Sequence, residues 1–198
     1  MRRIPFSILV CAALAGSVFA EPLAPTEYEI KAAFLYNFAK FVEWPADAFR
    51  KEPGALVIGI LGNDPFGHDL DDALEGKTIQ DKKIVLKRVS DWEQASECNV
   101  LFVSASQEHD VEGLLNVIKK LPILTVSDMG GFAQRGGVVG MMVEGNKVRF
   151  NVNTKAANAA GLKVSSQLLK LAKRVISRRL EKILYVCLPF ATIPSAGS

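Results

Sequence analysis

The sequence predicts an α/β fold: a three-layer sandwich whose mostly parallel sheet ends in an antiparallel hairpin, with helices on both faces. Three observations predict it. Short apolar runs of strand length recur along the chain, Ala55–Leu61, Asn99–Ser104 and Ile123–Val126. Stretches with helical spacing separate them, the pattern of parallel strands covered on both sides. Two extended segments, Gly137–Glu144 and Lys147–Asn153, then meet across Glu144-Gly145-Asn146, a short turn suited to a hairpin.

The chain opens with an export signal. Arg2 and Arg3 give a positive start, Ile4–Leu14 gives an apolar core broken only by Pro5 and Ser7, and Val18-Phe19-Ala20 places small residues where a signal peptidase cuts. The cut is expected after Ala20. The apolar run is shorter than the roughly 20 residues of a membrane-spanning helix. Cys11 lies within that run rather than at its end, which argues against a lipid anchor. The short two-arginine start and alanine-rich core are bacterial in character, so the expected location is the periplasm.

Residues 21–198 then form a single domain of 178 residues, long enough for a genuine core. With Arg2 and Arg3 removed, 22 basic residues face 21 acidic ones. A general nucleic-acid binder needs a strong basic surplus, so no nucleic acid is expected as a partner. Cys98 and Cys187 are the two cysteines left. In an oxidising compartment they can form one disulfide. Its 88-residue loop would be worth roughly 4–5 kcal/mol in chain entropy. Two buried thiols on neighbouring core elements are the other reading.

The first helical segment spans Glu27 to Trp44. Ile30, Phe34, Phe38 and Phe41 line one stripe, and Tyr28, Leu35 and Val42 another. A helix apolar on several sides is buried or has a partner. Phe66–Glu75 reads as a helix, with Asp64 as its N-cap and Pro65 in its first turn. Lys83–Val89 is a strand of mixed pattern, and Glu108–Lys120 a helix. Beyond Asn153 a helical stretch reaches Gly161. A long amphipathic helix follows, with Leu168, Leu171, Ala172, Val175, Ile176, Leu180, Ile183, Leu184 and Cys187 on its apolar side. Pro189 and Pro194 stop it. Its polar side gathers Lys170, Lys173, Arg174, Arg178, Arg179 and Lys182 against Glu181 alone, a local positive field suited to an acidic partner or anionic headgroups.

Few residues suggest catalysis. His68 and His109 stand at no metal-ligand spacing, and the zinc-protease, Cys-x-x-Cys, nucleophile-elbow and phosphate-loop motifs are missing. No metal or cofactor is expected, and Asp69, Asp71 and Asp72 read as a solvated helix face. A binding crevice is better supported. In an open α/β sheet, ligands sit beyond the carboxyl ends of the strands where strand order reverses. Asn63, Asp64, Ser104, Ser106, Ser127 and Asp128 lie at three such ends. A helix beginning after Ser106 would turn free amides toward a small anion there.

Three stretches together resemble a known family: Tyr28–Pro45, Gly131–Asn153, and Ala156 through Gly161-Leu-Lys-Val-Ser-Ser-Gln to Ala172. In this order and spacing they are similar to the YfiR family of exported bacterial proteins. The resemblance implies a non-enzymatic periplasmic α/β repressor without cofactors. Its implied partner is the periplasmic domain of an inner-membrane diguanylate cyclase, held inactive so that cyclic di-GMP and biofilm formation stay low. An outer-membrane-anchored protein that sequesters the repressor is a second implied partner, and a second copy of the chain a third. Tyr36 and Trp44 of the first helix, with Arg174, Arg178, Arg179 and Lys182, are the candidate contact residues. Well-known members carry additional disulfide-forming cysteines, whereas this chain keeps two once the expected signal is removed. The alternative class is a periplasmic small-molecule sensor that uses the crevice.

Overall fold

The computed structural model describes residues 24–177. The segment read as an export signal, Met1–Ala20, lies outside the described residues, as do Arg178, Arg179, Lys182 and Cys187.

The first helix, α1 (Glu27–Lys40), is set by a capping box. Thr26 Oγ1 accepts from Glu29 N at 3.1 Å while the Glu29 carboxylate accepts from Thr26 N at 2.5 Å. It ends four residues before Trp44, where the sequence reading had placed its end. Pro45 biases the residue before it toward extended backbone, and the chain enters β1 (Val42–Glu43) instead. Next come β2 (Ala55–Leu61), α2 (Asp69–Leu74), β3 (Thr78–Ile79), β4 (Lys82–Val89) and α3 (Trp92–Ala95). After β5 (Val100–Val103), a 3-10 turn at Ala105–Gln107 leads to α4 (Val111–Ile118) and β6 (Leu124–Ser127). The hairpin is β7 (Val139–Glu144) with β8 (Lys147–Asn153), followed by α5 (Thr154–Ala159), β9 (Lys163–Val164), α6 (Ser166–Leu171) and β10 (Arg174–Ile176).

Eight strands form one sheet in the order β10-β8-β7-β6-β5-β2-β4-β3, and β1 pairs antiparallel with β9 in a separate ribbon. The five central strands, β4 to β7 through β2, β5 and β6, are parallel. Their period of two divides the apolar residues between two cores. Leu56, Ile58, Ile60, Val100, Phe102, Leu124 and Val126 face α1, α2, α5 and α6. Val57, Leu61, Leu101, Val103 and Ile123 face α3 and α4. The sandwich expected from the sequence is therefore the observed one.

The C-terminal part differs. As far as the described residues reach, the expected long helix is replaced by α6, which stops at Leu171, and by β10, which runs parallel to β8 with Val175 beside Val152. Its expected continuation through Leu180, Ile183 and Leu184 lies outside them. Ala172 has already turned extended, and Lys173 N donates to Phe150 O at 2.8 Å. β8 offered an open edge, and the β-branched pair Val175-Ile176 fits a strand. The hairpin consequently does not end the sheet. Three shorter corrections concern helix starts. Asp64 caps its own turn through Phe66 N at 2.8 Å, and His68 occupies the N-cap of α2. The helix expected from Glu108 begins at Val111.

The turn between β3 and β4 puts two non-glycine residues in the left-handed region, Gln80 at φ 52° and Asp81 at φ 62°. Each such residue costs on the order of 1 kcal/mol. Gln80 also bonds Val42 O through its side chain at 3.3 Å, so Asp81 is the position to change. Asp81→Gly is expected to raise stability by about 0.5 kcal/mol, read as a rise of roughly 1–2 °C in melting temperature by calorimetry.

Candidate functional site

Strand order reverses at β2: the chain leaves β2 to pair with β4 on one side and returns as β5 on the other. The carboxyl ends of β2 and β5 thus form the topological switch point, the usual ligand position in such sheets. Here that position is filled from within. Asn63 N donates to Ser106 Oγ at 2.9 Å. Gly62 has φ +89°, and a Cβ on it would run into Ser106 Oγ and lie 3.0 Å from Gln107 Cγ. Only glycine allows the Ser106 turn to close so tightly over β2. Ser104 is buried and its Oγ accepts from Ser106 N at 3.4 Å, capping the 3-10 turn. Ser127 Oγ donates to Val103 O at 2.6 Å and accepts from Met129 N at 3.1 Å. The structure does gather these residues at one end of the sheet; the serines and aspartates are bonded within the chain, while the Asn63 side chain is exposed. The helix expected to begin after Ser106 starts later, since Ser106 lies inside the 3-10 turn Ala105–Gln107 and α4 begins at Val111.

Asp128 holds a different set. Its Oδ2 accepts from Lys31 Nζ at 2.6 Å and from Tyr28 OH at 3.2 Å, joining α1 to the end of β6. Glu27, one turn before Lys31, pairs with the same ammonium at 2.5 Å. The Lys31 side chain is only 4% exposed and that of Asp128 12%. The Tyr28 ring lies 4.5 Å from the ammonium and meets Phe66 edge-on at 5.4 Å. Burial alone would lower the Lys31 pKa; the bonds to Asp128 and Glu27 outweigh it and hold the group above the ordinary lysine value. Burial and the Asp128 charge hold the Tyr28 hydroxyl above its usual range. Sequence reasoning placed Asp128 at a strand end yet missed Lys31 and Tyr28, because the pairing spans 97 positions.

Arg88, at the end of β4, forms the neighbouring cluster. It donates to Asp64 at 2.9 Å, to Asp71 at 2.6 Å and to Gly67 O at 3.2 Å. Its hydrogen bond lowers the pKa of Asp71. Asp64 and Asp71 are thereby engaged in seating α2. Across the sheet, a cleft of about 390 Å³ opens beside the switch point. Leu61 and Leu114 form its inner wall, the exposed Trp92 and Val117 its rim, and His109 and Asp110 one side. Among the described residues no group of three or more His, Cys, Asp and Glu is arranged to hold a metal ion.

The expected contact residues fall in different settings. Tyr36 is half-buried on α1, with its hydroxyl 3.5 Å from Thr78 O and Lys77 Nζ 4.9 Å from its ring centre. Trp44 packs edge-on against Phe49 at 6.1 Å, and its indole nitrogen is buried without an acceptor among the described residues. Neither is a free aromatic on a helix face. Arg174 is exposed on the edge strand β10, beside Val175 and near Leu171, which is 67% exposed. Lys173, expected on the same basic face, is paired with Glu144. Cys98 is buried and is the one cysteine among the described residues, its expected partner Cys187 lying outside them; burial pushes the thiol pKa up to about 11.

The domain is mostly parallel and doubly wound, and most of its strand-end polar groups are engaged by the chain itself. The chain belongs to the YfiR/HmsC-like family, which it matches over residues 28–173, and whose members are regulatory rather than catalytic. A solved structure of a conserved domain protein from Vibrio cholerae is similar, with a TM-score of 0.50 at 12% identity over 75% of this chain and 60% of that one. The ABC domain from Streptococcus pneumonia in complex with L-Trp gives a TM-score of 0.48 at 12% identity, over 73% of this chain and 60% of that one. The chain thus spans about 60% of the length of these solved chains. At this identity the first likeness bears on the fold alone.

Lys31→Met leaves Asp128 buried without its charged partner, a loss of about 3 kcal/mol and roughly 6–12 °C in melting temperature. Adding Asp128→Asn is expected to restore part of it. Lys31 and Tyr28 both hold their protons more tightly when folded, so their stabilisation is complete at neutral pH. It falls as pH climbs past about 10. Urea unfolding across this range is expected to show that decline in the natural chain and a flatter profile in Tyr28→Phe/Lys31→Met.

Proposed function

We propose that the protein is exported to the periplasm and there binds the periplasmic domain of an inner-membrane diguanylate cyclase, holding it off. Cyclic di-GMP in the cytoplasm and biofilm formation are then kept low, and an outer-membrane-anchored protein relieves the block by sequestering the repressor. The observation that carries this reading is membership of the YfiR/HmsC-like family across residues 28–173. The export signal at Met1–Ala20 supports the location.

Repression requires a difference in affinity between two receptor states, since a ligand that binds both equally shifts nothing. A repressor preferring the off state by about 100-fold moves the equilibrium by about 2.7 kcal/mol. The exposed group of Leu171, Arg174 and Val175 supports a contact of mixed apolar and basic character, which Arg178, Arg179 and Lys182 would extend along the sequence.

The test is cellular cyclic di-GMP after deletion of the gene, complemented with a signal-bearing or a signal-less copy. A rise reversed only by the signal-bearing copy is expected. Arg174→Glu, at an exposed position, is expected to reverse it incompletely while melting like the natural chain. Unchanged cyclic di-GMP across growth conditions overturns the reading.

A further inference from the structure

We infer that the outer edge of β4, with the groove beside it, is a docking site for an extended peptide segment of a partner protein. The inference rests on the regulatory reading only in that the ligand is a protein, and not on that protein being a cyclase.

β2 accompanies β4 from Lys83 to Val89, but on the other side β3 pairs only with Lys82 and Lys83. Successive residues of a strand turn their backbone groups to opposite sides. Lys83 N donates inward, to Gly54 O at 3.2 Å. Ile84, Leu86 and Arg88 therefore turn their N–H and C=O groups outward; the β3 register carries pairing as far as Ile84, and beyond it no described strand pairs with Leu86 and Arg88. Open edges of this length are normally shortened or covered.

A groove of about 660 Å³ runs along the same edge, between β4 and α2. Leu74, Ile84 and Leu86 line it, and the last two are half-buried on the face that Arg88 shares. Its ends differ in charge. Because Arg88 binds Asp71, the start of α2 lies at the end of β4, and Asp72 stands there outside any ion pair among the described residues. Lys77 and Lys83 stand at the β3 end, likewise outside any such pair.

The backbone groups repeat every second residue, a spacing of about 6.8 Å that another extended chain matches and a helix does not. The occupant is therefore a strand with apolar side chains over Ile84 and Leu86, an acidic residue toward Lys77 and Lys83, and a basic residue toward Asp72. Main-chain bonds hold it in place and the alternate side chains select it.

The test is amide exchange by NMR on the purified chain, with and without the peptide acetyl-Glu-Val-Thr-Val-Lys-amide. Slowed exchange at Leu86 and Arg88, with Val85 and Lys87 unchanged, is expected. Asp72→Lys/Lys83→Glu alters only exposed side chains and is expected to weaken binding by about tenfold. The peptide with Glu and Lys exchanged is expected to restore it. Uniform protection, or none, overturns the proposal. So does slow exchange at these two amides without peptide, which would assign the edge to the chain's own termini, or to a second copy if protection grows with protein concentration.

Discussion

The constraint on which the fold depends is the burial of β2 on both faces. Six of its seven residues are buried, so the sheet cannot be stable until helices cover it from both sides. The two cores follow from that requirement, and the strands beside β2 obey the same alternation. Gly59 shows how tight the arrangement is, since a Cβ there would run into Cys98 Sγ. Cys98 is thus a packing element as well as a thiol, which explains its burial and raised pKa.

The carboxyl end of the sheet is built from mutual obligations. Ser106 closes over Gly62, Ser127 ties β6 to β5, Asp128 receives α1, and Arg88 fastens α2 to the turn after β2. In many α/β proteins this end is where a small molecule binds. Here it serves to lock helices to strands, and the surfaces that remain open lie beside it: the Trp92 cleft and the outer side of β4. The arrangement combines a firm interior with accessible margins.

How much of this was legible in the sequence depends on the range of the interaction. Runs such as Ala55–Leu61 and the Gly145-Asn146 turn announce themselves through neighbours a few positions away, and they appear where expected. The C-terminal helix was misread because Leu168, Leu171, Val175 and Ile176 satisfy helical spacing; whether β8 has room beside it is a property of the sheet. Trp44 looked like a helix residue until Pro45 was weighed with the pairing of Val42 to Val164. Asp128 was recognised as a strand-end residue, yet its role depends on Lys31, far earlier in the chain. Arg88 sat unremarked in a strand of mixed pattern, its purpose set by two aspartates on other elements.

The seating of α1 also bears on the order in which the molecule can assemble. The helix precedes in the chain the residues that seat it. Phe34 and Phe38 pack on Phe150, and Lys31 awaits Asp128, 97 positions later. Until those residues arrive, an aromatic-rich segment with one buried-type charge has nowhere to go. Contacts of such long sequence separation form late and slow the search, and unsatisfied apolar surface invites association with other chains in the meantime. The feature that closes the finished domain is also the one that leaves the nascent chain most exposed.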